Sequence, residues 1–222
     1  MIGPLYEAAL VDGGVVEVEH ARPAPGGGRE PVDVGRWFAS LAGDASLLDR
    51  CAGPVLDIGS GPGRLTVALT ERGHLALGID IAGPAVARTR RAGAAALRRD
   101  VFGPVPGAGR WRTALLADGN IGIGGDPTAL LRRVAALLAP DGQALVEVEP
   151  PGRAARRSRV RLHRGGRSGD WFDWAYVGVD DIADVASPAG LTPAETWTAA
   201  GRWFARLTRP DAHRGSQGES CG

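Results

Sequence analysis

Hydrophobic positions along the chain follow two alternating periods. Short runs rich in Val, Leu, Ile and Ala occur at residues 55–58, 75–79, 95–100, 111–117 and 144–148, and between most of them apolar residues recur at helical spacing. Leu65, Ala68 and Leu69 form one stripe, closed by Gly73; Pro84 opens a second helical segment and Gly93 closes it. Leu130, Val134, Leu137 and Leu138 form the inner face of a third, capped by Asp126 with Pro127 in its first turn. Pro140-Asp141-Gly142 then turns the chain into the last of five strands. Strand and helix repeated in this order predict a parallel sheet with right-handed crossovers, one doubly wound α/β domain from about Cys51 to Glu149.

The flanks follow other patterns. Tyr6 to Leu10 and Val15 to Val18 bracket Asp12-Gly13-Gly14, which predicts a hairpin, and a Pro/Gly-rich loop follows it. Asp33 is placed to cap a helix reaching about Leu48, with Val34, Trp37, Phe38 and Leu41 on one face. Beyond the fifth strand, residues 152–169 carry Arg153, Arg156, Arg157, Arg159, Arg161, His163, Arg164 and Arg167, and alternation through Val160 and Leu162 predicts a strand or arm. Such an arm is either a solvated hairpin or a grip on RNA or an anionic substrate. The aromatic run DWFDWAY at residues 170–176 is expensive to expose. Val179 to Ser187 reads as a helix, Thr196 to Ala199 and Arg202 to Leu207 as an antiparallel pair, and the polar residues after Pro210 as a disordered tail. The tetrapeptide GRWF occurs at Gly35 and again at Gly201, without flanking similarity that would make a repeat.

The chemistry concentrates between Val55 and Arg64, VLDIGSGPGR, where a buried strand runs through Gly59, Gly61 and Gly63 straight into a helix. Glycines at such a turn let a ligand approach the backbone beside the unpaired N–H groups of the helix's first turn. The dinucleotide fingerprint GxGxxG needs its third glycine where Arg64 stands, so a pyrophosphate ligand is disfavoured. Asp57, inside the strand, repels phosphate and suits an ammonium group.

With an acid followed by GxGxG, the stretch resembles motif I of class I S-adenosylmethionine (SAM) dependent methyltransferases. That resemblance implies a Rossmann-like doubly wound sheet of seven strands, mostly parallel, with the antiparallel C-terminal pair at its edge. It implies a cofactor site made by Asp57, Gly59, Gly61, Gly63, Asp80, Ile81, Asp100, Val101 and Asp118. Asp80, about 20 residues beyond the glycines at the end of the second strand, would accept from the ribose hydroxyls; Asp100 would accept from the adenine amino group, with Val101 or Phe102 beside the ring. Asp118, Asn120 and Ile121 would face the donated methyl group. Asp118 and Glu149 are candidate bases for a hydroxyl acceptor, or alternatively partners of the methionyl ammonium or a polar substrate. Trp174 and Tyr176 are candidates to line an acceptor cavity, and Trp37 is either a lid over the cofactor or core. The chain divides into an accessory or lid segment at 1–50, a SAM-binding domain at 51–209 with its arm at 152–169, and a tail at 210–222.

Composition narrows the partners. Net charge is +1 over 222 residues, which does not suit a whole-molecule nucleic-acid binder. Every Lys/Arg position is arginine; lysine chemistry is excluded, and with abundant Ala and Gly the composition is that of a GC-rich, actinobacterium-like coding sequence. Through LLADGNIGIGGDP and its aromatic C-terminal segment the chain resembles small actinobacterial methyltransferases of unassigned substrate. Cys51 and Cys221 form neither a zinc spacing nor a plausible disulfide, and no metal site is expected. The N-terminus has neither a basic n-region nor a long apolar run, which reads as a soluble, cytoplasmic protein. Enzymes of this class that methylate exocyclic base amines carry Asn or Asp, two prolines and an aromatic after strand four; DGNIGIGG departs from that pattern. The expected function is methyl transfer from SAM to a small-molecule acceptor in secondary or specialised metabolism. The alternatives are an RNA or protein methyltransferase, or a non-catalytic SAM binder docking through the arm, with an NAD-dependent oxidoreductase less favoured.

Overall fold

The structure, a computed structural model, describes residues 3–22 and 28–210; the expected tail and most of the Pro/Gly-rich loop lie outside the described residues. From the N-terminus the elements are α1 (Pro4–Asp12), β1 (Val15–His20), β2 (Glu30–Asp33) and α2 (Asp44–Leu48). There follow β3 (Val55–Ile58), α3 (Arg64–Glu71), β4 (Ala76–Asp80), α4 (Gly83–Arg91), β5 (Ala96–Arg98), β6 (Trp111–Leu116), α5 (Pro127–Leu137) and β7 (Leu138–Val148). The last third holds β8 (Arg156–Arg164), β9 (Arg167–Ser168), β10 (Phe172–Tyr176), α6 (Ile182–Ala186), β11 (Thr192–Ala199) and β12 (Arg202–Thr208).

The five apolar runs form the parallel core of a seven-stranded sheet in the order β11-β12-β7-β6-β3-β4-β5, with β12 antiparallel to β7 and β11 antiparallel to β12. This is the predicted Rossmann-like α/β architecture with its antiparallel edge pair. A strand covered on both faces reads as continuous apolar sequence, and β3 is buried at all four positions. One face packs Leu56, Ile58 and Val146 against Leu130, Leu131, Val134 and Leu137 of α5; the other packs Val55, Leu115 and Phe204 against Leu65 and Leu69 of α3. The connection from β5 to β6 is the exception to the strand–helix alternation. Residues 99–110 carry no helix, because Pro104, Pro106 and three glycines interrupt the backbone hydrogen bonding a helix needs.

A second, wholly antiparallel sheet has the order β10-β8-β1-β2, with β9 paired to β8. Its assembly corrects two expectations. Tyr6 to Leu10 is not a hairpin strand but part of α1, which Pro4 starts and Gly13 ends, so β1 pairs with β2 and β8 instead. Asp33 caps only a 3-10 turn, Val34–Trp37, through a 2.8 Å bond from the Gly35 N–H; the helix towards Leu48 is reduced to α2. The arginine-rich arm is strand β8, which turns at Gly165-Gly166 into a short hairpin with β9 and lies between β1 and β10, its arginines largely exposed. Alternation along β8 buries Val160 and Leu162 on the inner face, while on the outer face Arg157 pairs with Asp126, Arg159 with Asp173 and Arg161 with Glu19. Residues 179–189 hold the predicted helix as α6 flanked by two 3-10 turns. Among the described residues no helix is long and apolar enough to cross a membrane.

Candidate active site

The turn after β3 is tied to β4 by hydrogen bonds from the Gly59 and Ser60 N–H groups to the Ile79 carbonyl, at 2.9 and 3.1 Å. Gly59 and Gly61 have φ of +69° and +53°, values that strain any L side chain. At Gly61 an added Cβ would find only the Tyr6 hydroxyl, 3.8 Å away, so this glycine opens onto free space. Gly63 differs: a Cβ there would run into Thr89, and its role is to let α3 approach α4.

Asp57 is 2 % exposed and accepts from the Thr66 hydroxyl at 2.6 Å. Burial pushes its carboxyl up to about 6, against the pull of Thr66 and Arg64. Asp80 lies behind the turn, accepting from the N–H groups of Gly61 and Ala82, both at 2.8 Å; burial raises its pKa and those N–H groups oppose the rise.

Beside the turn lies an ionic network that spans four elements. Arg64, opening α3, pairs with Asp44 of α2 and with Asp118 after β6. Arg202 of β12 reaches Asp44 at 2.7 Å, Glu147 of β7 at 2.7 Å and Asp118 at 3.5 Å. Asp118 has φ of +54°, held there while its N–H donates to Glu147 Oε2 at 2.6 Å. Burial works against ionised Asp44, but its hydrogen bonds from Arg64, Arg202 and the Leu41 N–H outweigh it and hold that carboxyl below its usual range. At Asp118 burial, reinforced by Glu147, prevails over both arginines and raises the pKa.

Asp57, Arg64, Asp118, Glu147 and Arg202 line one end of a cavity of about 480 Å³ beyond the carboxyl ends of β3, β6 and β7. The second sheet covers it with Val16, Val18, Val32, Val160 and Leu162, and with Phe172, Trp174 and Tyr176; Tyr6, Arg36, Trp37 and Trp203 complete the wall. At the cavity's edge Glu149 is clamped by Arg156 through bonds of 2.5 and 3.1 Å, and that guanidinium also stacks 4.1 Å above the Tyr176 ring.

Of the residues singled out in the sequence, Asp57, Gly59, Gly61, Asp118, Asn120, Glu149, Trp37, Trp174 and Tyr176 line this cavity. Asp80, Ile81, Asp100 and Val101 do not. They sit at the adjoining carboxyl ends of β4 and β5, where Asp100 is exposed and accepts from the Phe102 N–H at 3.0 Å, and Val101 belongs to the core. Sequence reading missed Tyr6, Arg36, Asp44, Glu147, Arg202 and Trp203 as members of the site, and took Arg64 only as a missing glycine. One available signal was the repeated GRWF, whose two copies supply Arg36, Trp37, Arg202 and Trp203; another was Glu147, a charge inside the otherwise apolar run 144–148.

The donor set suits SAM. Ser60 Oγ and Arg64 Nε are buried beside the turn with no hydrogen-bond partner among the described residues, ready for a polar ligand. In the network three carboxylates face two guanidiniums, an excess of negative charge that favours a net cation. Asp57, Asp118 and Glu147 would hold an ammonium, Ser60 and Arg64 a carboxylate, and Gly61 leaves room for the chain between them.

Comparison with known proteins agrees with this geometry. A SAM-dependent methyltransferase from Bacteroides fragilis, solved with S-adenosylhomocysteine (SAH), is 23% identical over 92% of this chain and 94% of that one, with a TM-score of 0.76. The 1,6-didemethyltoxoflavin N1-methyltransferase of Burkholderia thailandensis is 20% identical over 75% of each chain, with a TM-score of 0.55. The sugar N-methyltransferase KedS8 from Streptoalloteichus is 19% identical over 75% of this chain and 84% of its own, with a TM-score of 0.54. No curated protein matches the chain by sequence. Residues 35–194 match the family model described as a methyltransferase domain. The chain belongs to that family: it is a class I SAM-dependent methyltransferase, and S-adenosylmethionine is its cofactor.

Proposed function

We propose that this enzyme methylates a small-molecule acceptor of specialised metabolism, held in the cavity between the two sheets, in the cytoplasm. The observation that carries the reading is the cover itself: the second sheet turns its apolar and aromatic side chains over the carboxyl ends of β6 and β7, making a half-open cleft of small-molecule size. The toxoflavin and KedS8 enzymes, named for small acceptors, support it.

SAM brings a methyl group already activated on a sulfonium, so the protein must chiefly align the acceptor and keep water out. Asp57, Asp118, Ser60 and Arg64 anchor the methionyl end, while Asp80 and Asp100 serve the ribose and adenine. Asn120, Trp37, Trp174 and Tyr176 contact the acceptor, and the segment before β3 acts with β8 to β10 as a lid. Asp118 and Glu149 are the carboxylates nearest the acceptor, but each is tied to arginine.

The RNA reading draws less support, because Arg156, Arg157, Arg159 and Arg161 are each paired with a carboxylate. Thermal melting with SAM or SAH tests the first part: a ligand at about 100 times its Kd stabilises by about 2.7 kcal/mol, and NAD should give no shift. Retention of RNA at moderate salt, with affinity falling steeply as salt rises, would replace the small-molecule reading.

A further inference from the structure

With Asp57, Asp118 and Glu147 given to the methionyl ammonium, the cavity offers an acceptor neither a free base nor a free counter-ion for a second ammonium. Every carboxylate that lines it is engaged: Asp57 by Thr66, Asp118 by Arg64 and Arg202, Glu147 by Arg202, and Glu149 by Arg156. The two phenols, Tyr6 and Tyr176, are pushed by burial above their usual range and stay protonated. No histidine lines it among the described residues. The remaining charged group is Arg36, an exposed cation with no carboxylate partner among the described residues.

These conditions act on the acceptor atom. A hydroxyl must lose a proton as it attacks, and nothing in the cavity is free to take it. A protonated alkylamine must enter an apolar space past an unpaired guanidinium, and both burial and like charge disfavour its cation. A nitrogen that is already neutral at pH 7 meets neither obstacle. Trp174, Tyr176, Phe172 and Trp203 line the space with aromatic side chains, surroundings that suit the ring that would carry it.

We infer that the acceptor atom is a weakly basic nitrogen, an aromatic amine or a heteroaromatic ring nitrogen, on a flat apolar body. The inference rests on reading the cavity as the acceptor site. The nitrogen lone pair forms the new N–C bond as the C–S bond breaks and its electron pair returns to sulfur, giving SAH. An aromatic amine then releases its extra proton to water; a ring nitrogen without a proton keeps the positive charge that sulfur loses.

The test uses one bicyclic body with different acceptor atoms: 1-naphthylamine, isoquinoline, 1-naphthol, 1-naphthalenethiol and 1-(aminomethyl)naphthalene. Binding to the full chain is measured with SAH present, and methyl transfer with labelled SAM. At pH 7 the naphthylamine and isoquinoline should bind at least about tenfold more tightly than the aminomethyl compound, which is overwhelmingly ammonium there. The gap should close as pH rises towards that ammonium's pKa, and label should appear on nitrogen. Arg36→Glu should strengthen binding of the ammonium selectively. Preferred binding or methylation of the naphthol, the thiol or the ammonium overturns the inference, as does failure of all five while SAH binds. Failure of SAH itself to bind would strike the methyltransferase reading instead.

Discussion

The side-chain amide of Asn120 donates to the carbonyl oxygens of both Ile58 and Gly59, each at 3.0 Å, and so joins the loop after β6 to the glycine turn after β3. Neighbouring parallel strands thereby deliver their loops to the cavity as one unit. Asn120→Ala strands two carbonyls, a loss of about 1–3 kcal/mol. Gly59→Ala should cost more, because its Cβ would meet the Asn120 amide at 2.8–3.0 Å and φ is +69°. The double variant should be less destabilised than the sum of the two, since removing Asn120 relieves the contact but not the strain. Urea unfolding of the four proteins measures the difference; strict additivity would show that the two loops are not coupled.

Asp57 links pH to stability and to binding. Its folded pKa of about 6 lies above the unfolded carboxylate value. The native state therefore holds the proton more tightly. Without ligand, stability should fall as pH rises from about 4 to about 6, by roughly 3 kcal/mol at most. Asp57→Asn, which keeps an oxygen acceptor for Thr66, should be more stable than the parent at pH 8, with the advantage vanishing near pH 4. Because the ionised carboxylate suits the methionyl ammonium, SAH affinity should rise through pH 6 in the parent and lose that rise in the variant. Denaturant melts and calorimetric titrations across pH 4.5–8 read both effects.

The network around Arg202 is poorly solvated, with side-chain exposures of 12 % for Arg202, 4 % for Asp44 and 14 % for Glu147. Arg202→Ala leaves three carboxylates facing Arg64 alone and should cost about 3–5 kcal/mol. Arg202→Met combined with Glu147→Leu should recover part of that loss, because the unpaired charge disappears with its partner. Added salt, which screens exposed pairs, should change the parent's stability little. Chemical denaturation at two ionic strengths decides it; a loss below about 1 kcal/mol would mark the network as an ordinary surface pairing.

The parallel sheet was legible because buried strands and amphipathic helices carry different periods, and the turn Val55–Arg64 because glycine spacing is local. The second sheet was not. The paired residues of β1 and β8 are 140–146 apart by number, and nothing in Val15–His20 specifies a partner in Arg156–Arg164. Local chemistry even misled at Gly13, which ends a helix where a hairpin turn was expected. The site divides in the same way: Asp57, Gly61 and Asn120 stand in a readable strand and the loops after β3 and β6, whereas Arg202 of β12 and Asp44 of α2 acquire meaning only where the fold brings them together beside Arg64.

Gly61 separates folding from binding more cleanly than any other position in the turn. Its φ of +53° makes Gly61→Ala cost about 1–2 kcal/mol, which for a chain of this size lowers Tm by a few degrees. The new methyl would meet no protein atom closer than the Tyr6 hydroxyl at 3.8 Å, an ordinary contact, so the fold should survive intact. That methyl would stand, however, in the space the glycine turn keeps open for SAM. SAH affinity should fall by at least about tenfold, a loss of about 1.4 kcal/mol or more, while the far-UV spectrum and unfolding cooperativity match the parent. Gly63→Ala makes the opposite control: its Cβ would collide with Thr89, away from the cavity, so stability should fall first and affinity for SAH should hold in the folded fraction. Equilibrium titration alongside thermal melting distinguishes the two. Parent-like SAH binding by Gly61→Ala would show that the cofactor does not lie against this turn, whatever the family's sequence pattern implies.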